Sequence, residues 1–89
     1  MSSVFIRHRV ADFDVWKSAY DEHGGARREH GLADSSLLRD EDDGNMVTIV
    51  LAADDSGRAR DFLSSDDLRR VMEGAGVTSQ PEVWIASDA

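Results

Sequence analysis

The sequence predicts an α+β domain of ferredoxin-like βαββαβ order, with a four-stranded antiparallel sheet and two helices on one face. Three observations carry this. Four β-rich segments occur at Val4–Val10, near Ser36–Asp40, at Asn45–Ala53 and at Glu82–Ala86. Helix-period segments separate the first from the second and the third from the fourth. Asp43-Gly44, with no helix between the middle two, is a hairpin signal. The 89 residues form one domain, 1–89.

The elements follow in order. "VFIRHRV" alternates and is rich in β-formers. "FDVWKSAYDEHGGARREHG" (Phe13–Gly31) repeats at about 100° per residue, placing Phe13, Trp16, Tyr20, His23 and Arg27 on one helix face. Asp12 is its expected N-cap and Gly31 its C-cap. Gly24-Gly25 interrupts it, each glycine costing roughly 1 kcal/mol relative to alanine. "NMVTIVLAA" is nearly continuous in apolar residues, as a central strand is. Asp54 or Asp55 caps a second helix through Ala59, Phe62 and Leu63. "SSDDL", with Ser64 as cap and Asp67 three residues on, breaks and restarts it through Leu68, Val71 and Met72. Gly74 and Gly76 stop it, and Pro81 precedes "EVWIA".

Right-handed crossovers put both helices on the same face of the sheet. The uncovered face is nevertheless not polar. Val4, Ile6, His8 and Val10 oppose Phe5, Arg7 and Arg9; Met46, Thr48 and Val50 oppose Val47, Ile49 and Leu51; Val83 and Ile85 oppose Trp84. Apolar side chains on both faces call for burial of both. A homodimer supplies the missing cover through Phe5, Val47, Ile49 and Leu51 or their opposite-face partners.

Composition excludes several function classes. A net charge of −8 repels phosphates, and no basic stripe with aromatics counters it, so nucleic acid is not an expected partner. "MSSVFIRHRV" contains no long apolar run, so neither a signal peptide nor a membrane span is expected and the default location is cytoplasmic. There is no cysteine, hence no disulfide and no thiolate metal site. On a continuous helix His23 and His30 would lie about 10 Å apart along the axis, too far to chelate one metal. With no glycine-rich phosphate loop following a strand either, no metal and no cofactor is expected.

The stretches "VFIRHRVADFDVWKSAYDEH", "LLRDEDDGNMVTIVLAADD" and "FLSSDDLRRVMEGAGV" together resemble the dimeric α+β barrel superfamily. More narrowly, they resemble small actinobacterial proteins described as antibiotic-biosynthesis-monooxygenase-like or polyketide cyclase-like. The resemblance implies two sheets packed face to face and a pocket between each sheet and its helices. It leaves the reaction open among cyclases, cofactor-free monooxygenases, haem-degrading enzymes, lactone isomerases and inactive members. The Asn, Trp and Arg set associated with cofactor-independent quinone-forming oxygenases has no residue-by-residue counterpart. Asn45 lies at the hairpin turn, Trp16 on the first helix and Trp84 on the last strand. The histidine of the haem-degrading relatives has no counterpart on the second helix.

Within this frame the chemistry falls to a few residues. His8, aligned with aliphatics, is either a satisfied core histidine or a pocket base. His23 on the covering helix is aimed at the same space, and an imidazole in an apolar pocket suits proton transfer near neutral pH. Tyr20 is a candidate donor to a developing enolate or phenolate. Trp16, Phe13 and Phe62 suit either the core or the wall of a planar-ligand site. Arg27 either snorkels at the pocket mouth or holds a substrate carboxylate or phenolate. His30 belongs to the helix end, where a cation meets the dipole. Arg7 and Arg9 need carboxylates, with Asp40, Glu41 and Glu82 available. The Asp40–Asp43 acidic run is a solvated hairpin rather than a calcium loop.

The leading expectation is a cofactor-free cyclase acting on a polyketide-like or polycarbonyl small molecule. His8 or His23 would be the base, Tyr20 the donor, and Trp16, Arg27, Phe13 and Phe62 the substrate contacts. A cofactor-independent monooxygenase of a phenolic substrate is the alternative enzyme. A non-catalytic homodimer, structural or binding a hydrophobic or aromatic small molecule, is the alternative outside enzymes.

Overall fold

A computed structural model describes residues 1–89. Strand β1 (Ser2–Arg9) is followed by helices α1 (Phe13–Glu22) and α2 (Gly24–Glu29), then strands β2 (Leu32–Arg39) and β3 (Met46–Ala53). Helices α3 (Ser56–Leu63) and α4 (Asp66–Gly74) precede strand β4 (Glu82–Ser87). The four strands form one antiparallel sheet in the order β2-β3-β1-β4. This is the ferredoxin-like α+β fold, with each expected helix present as a broken pair.

The breaks have local causes. Asp12 caps α1 by accepting from the Val15 amide at 3.1 Å. At His23 the φ/ψ of −85°/4° ends α1, its amide shared between the Ala19 and Tyr20 carbonyls, and α2 restarts at Gly24. Asp55, rather than Asp54, caps α3 through the Gly57 and Arg58 amides. Ser65, not Ser64, caps α4, accepting from the Leu68 amide at 3.2 Å. Ser64 instead closes α3, donating to the Arg60 carbonyl. The one-residue shift leaves Asp67 free of capping duty.

Strand β2 begins four residues earlier than its β-formers do. Gly31 makes the turn in from α2 at φ +72°, where an added Cβ would stand 2.0 Å from the Asp54 carboxylate. Leu32 then pairs with Ala53. A bulge between Asp34 and Ser36 inserts one residue into the ladder. It puts both Asp34, opposite Leu51, and Leu37, opposite Ile49, on the helix-covered side. The β2–β3 hairpin forms around Asp43, whose side chain accepts from the Asn45 amide at 3.0 Å. Gly44 keeps a negative φ, so the turn is an Asx turn rather than a two-residue primed one.

Strand alternation sorts the faces as expected. Val4, Ile6, His8, Val47, Ile49, Leu51 and Ala53 are buried against Trp16, Ala59, Phe62 and Leu68 from the helices. The other face carries Phe5, Arg7, Leu38, Thr48, Val50 and Trp84. Trp84 is 45% and Leu38 53% exposed. Of the residues named for a dimer contact, therefore, Val47, Ile49 and Leu51 turn inward; Phe5 and the opposite-face set remain. Arg7 finds Asp40 through two bonds of 2.9 and 2.8 Å, and Arg9 finds Asp43.

Candidate functional site

Between the sheet and the helices lies a cavity of about 40 Å³. Its floor is Ile6, His8, Ile49 and Leu51 of β1 and β3; Trp16, Tyr20, His23 and Arg27 come from α1, its end and α2; Phe62 comes from α3. The outer wall is Leu68, Val71 and Met72 of α4 with Ala75 just beyond. Both imidazoles thus line one space, because His8 shares the β1 face of Val4 and Ile6 while His23 stands two turns along from Trp16. His30 lies outside it.

The two histidines differ in their surroundings. His8 is only 2% exposed, its ring edge-on to Trp16 at 5.6 Å, and its Nδ1 is buried with no hydrogen-bond partner. An unpartnered buried polar atom costs about 1–3 kcal/mol. Burial lowers the His8 pKa from its ordinary 6.5, so the ring is neutral at pH 7. His23 stacks on Phe62 at 5.7 Å and holds Asp67 of α4 by Nε2 at 3.0 Å. A neutral His23 must then carry its proton on Nε2, leaving Nδ1 with the lone pair.

Tyr20 and Arg27 are drawn into another arrangement. The Tyr20 hydroxyl donates to Asp34 at 2.9 Å, and burial first, with Asp34 assisting, raises its pKa far above 10. Arg27, 5% exposed, donates to Asp34 at 3.0 and 3.4 Å and to the Tyr20 carbonyl at 2.8 Å, its guanidinium 3.6 Å above the Tyr20 ring. Desolvation opposes ionisation of Asp34, yet the hydrogen bonds from Arg27 and Tyr20 hold its carboxyl below the usual range. The Tyr20 proton and the Arg27 fork are therefore committed to Asp34, and neither is free for an enolate or a substrate carboxylate as the sequence suggested. Their ring and alkyl portions wall the cavity instead.

Phe13 also departs from expectation. It sits under the Arg39 guanidinium at 3.8 Å and beside Trp16, outside the cavity. Trp16 and Phe62 are in the cavity wall. His30 caps α2, its Nδ1 donating to the Ala26 carbonyl at 2.8 Å. The sequence reading missed Asp34 and Asp67. Alternation with Leu32 is the signal for Asp34, and the low β-propensity of "LADSS" hides it. Asp67 was assigned to a cap that Ser65 makes unnecessary. No group of three or more His, Asp or Glu side chains is arranged to hold a metal ion.

No family model and no curated sequence matches this chain. Solved structures do. One described as an antibiotic biosynthesis monooxygenase superposes with a TM-score of 0.73 at 16% identity, over 100% of this chain and 99% of that one. SnoaB from Streptomyces nogalater, a cofactor-independent oxygenase, superposes with a TM-score of 0.72 at 17% identity, over 99% and 94%. A conserved protein from Methanosarcina mazei gives 0.67 at 16%, over 99% and 92%. The chain has the ferredoxin-like α+β fold of these structures. At these identities the likeness extends to fold and not to reaction. No helix is long and apolar enough to cross a membrane.

Proposed function

We propose that this chain is a cofactor-free enzyme in which His8 removes a proton from a flat, apolar small molecule bearing an enolisable carbonyl or a phenol. One observation carries the reading: a neutral imidazole, almost fully buried in an apolar cavity, has an Nδ1 that nothing in the protein satisfies. A core histidine serving only packing would normally be hydrogen-bonded. A substrate C–H or O–H entering the cavity would supply the missing partner, and burial keeps the ring in its proton-accepting form at neutral pH. Trp16 and Phe62 hold the plane of the substrate. The protonated His8 returns its proton to the product oxygen, and His23, whose Nε2 is held by Asp67, keeps an Nδ1 lone pair as a second proton acceptor in the same cavity wall.

The carbanion or phenolate so formed has two outcomes. Attack on a second carbonyl of the same chain closes a ring, the cyclase outcome favoured by the sequence reading. Direct reaction with O₂ is the monooxygenase outcome, and the structural likeness to SnoaB favours it. The second copy of the chain covers the open sheet face, where Leu38 and Trp84 stand exposed beside half-buried Phe5 and Val50.

One experiment separates the readings. Purified protein is incubated with an aromatic poly-β-carbonyl compound and with a polycyclic phenol, in air and under argon. Dehydrated ring product in both atmospheres identifies the cyclase. Oxygen uptake coupled to product in air alone identifies the oxygenase. Reversible binding without turnover in either atmosphere leaves a binding protein and refutes the catalytic reading.

A further inference from the structure

The buried cavity is too small for the substrate class assigned to it. Ligand sites usually measure about 300–1,000 Å³, and 40 Å³ has no room for a ring system. A second, open cleft of about 400 Å³ lies between α4 and the segment leading into β4. The two spaces share two side chains, Leu68 and Met72, one turn apart on the same face of α4. Each of these presents one side to His8's cavity and the other to the cleft.

We propose that cleft and cavity are the outer and inner chambers of one ligand site, with Met72 as the movable partition between them. This rests on the proposed role of His8 for what happens in the inner chamber. Met72 suits a partition because it is unbranched, only partly buried and able to change rotamer without disturbing the backbone. Leu68, 8% exposed, is the fixed part of the same wall.

The outer chamber also limits the ligand. Val77, Pro81 and Val83 make its apolar side, while Asp66 and Glu73 oppose Arg69. Arg69 is already paired with Asp66 at 2.9 Å, so the charged lining leans negative and disfavours an anionic tail. The site therefore takes a neutral, flat, multi-ring molecule: its leading ring passes Met72 toward His8, and its remaining rings stay against Val77 and Val83. A polyanionic or nucleotide-like ligand does not fit this lining.

The test uses 1-naphthol, a neutral two-ring phenol, as probe. Trp84→Phe protein serves as background so that buried Trp16 alone reports by fluorescence. Stopped-flow quenching gives the association rate, and ¹⁵N-histidine NMR reports whether the probe reaches His8. Met72→Ala should quicken association at least tenfold, and Met72→Trp should slow it at least tenfold, with circular dichroism unchanged. Met72→Ala alone decides the matter if the tryptophan variant does not fold. Association rates within twofold of the background protein in the variants that fold, or no binding to Met72→Ala at millimolar probe, overturn the proposal. If the rates follow Met72 and the His23 signals move while those of His8 do not, the two-chamber site stands and the His8 reading fails; if neither histidine responds, the inner chamber is not entered and the proposal fails. If His8 signals move but the rates ignore Met72, the reverse holds.

Discussion

The two faces of the sheet solve the problem of polar groups among apolar neighbours in opposite ways. On the open face Arg7 and Arg9 are each matched by a hairpin carboxylate, Asp40 and Asp43, and the apolar side chains are left exposed, with Phe5 stacked on Trp84 at 5.2 Å. On the covered face the aliphatics are sealed, Arg27 is fully partnered, and one imidazole nitrogen is left without a partner. The open face has complete electrostatics and incomplete burial, as a surface awaiting a second protein surface does. The covered face has complete burial and one incomplete hydrogen bond, as a chamber awaiting a small molecule does. The proposed assembly surface and the proposed site thus lie on opposite sides of one sheet.

The strongest way to break this comparison is to make His8 apolar. His8→Leu keeps the volume roughly constant and removes the unpartnered nitrogen. Turnover should fall about 10²–10⁴-fold, the usual contribution of a positioned general base. Stability should rise by about 1–2 kcal/mol, because a buried unsatisfied group disappears. Chemical denaturation and a turnover assay on the same preparation check both. A variant that loses stability would show that His8 is a satisfied core residue, and the contrast between the faces would collapse.

Strand alternation placed His8 with Val4 and Ile6, and helical periodicity placed His23 with Trp16, so the meeting of both at one cavity was legible without coordinates. So were the order of elements and the cap Asp12, while the second helix's cap was narrowed to Asp54 or Asp55. What escaped was set by non-local pairing. The start of β2 is dictated by Ala53 and Leu51 on the neighbouring strand rather than by the β-propensity of "LADSS". Once the strand starts at Leu32, alternation turns Asp34 to the same side, where Tyr20 and Arg27 share it as acceptor. The bulge after Asp34 breaks the alternation, so the side of Asp34 does not follow from the β-formers beginning at Leu37.

The Arg27–Asp34 pair sharpens the comparison next. Arg27 is buried and Asp34 is not: their side chains are 6% and 60% exposed. Removing the exposed partner should therefore hurt more than removing the buried one. Asp34→Ala leaves a guanidinium and the Tyr20 hydroxyl without their acceptor and should cost about 2–3 kcal/mol. Arg27→Met fills the same space and leaves a carboxylate that water can reach, so its cost should be smaller. Urea titrations of the two variants give the comparison directly, and the reverse order would refute it.

On the open face the corresponding change is Trp84→Asp. It places a charge on the edge strand β4, against Phe5 in the exposed apolar set, and should weaken self-association by about 2 kcal/mol or more, as loss of a large interface aromatic does. Sedimentation of the wild type as a dimer and of the variant as a folded monomer is the expected result. A wild type that sediments as a stable monomer at micromolar concentration would remove the assembly half of the comparison and leave the chamber intact.

The smallest effect is a pH dependence, and it distinguishes a neutral His8 from a charged one. Its folded pKa lies below the ordinary 6.5, because burial penalises the imidazolium. Between the lowered value and 6.5 the unfolded chain holds a proton that the folded chain does not. Stability therefore rises with pH through that window, is fully developed above about 6.5, and declines as acid reaches the folded pKa. Asp34 contributes in the same direction lower down, since its depressed pKa makes its contribution disappear as pH falls through the carboxylate range. Subtracting the profile of His8→Leu from that of the wild type isolates the histidine. The difference should carry a slope confined to the window just below 6.5 and be flat above it. A difference that falls with rising pH would mean that the folded state holds the proton more tightly than the unfolded one, so that His8 has a carboxylate partner after all. The covered face would then be as electrostatically complete as the open one, and the reason for placing a substrate there would be gone.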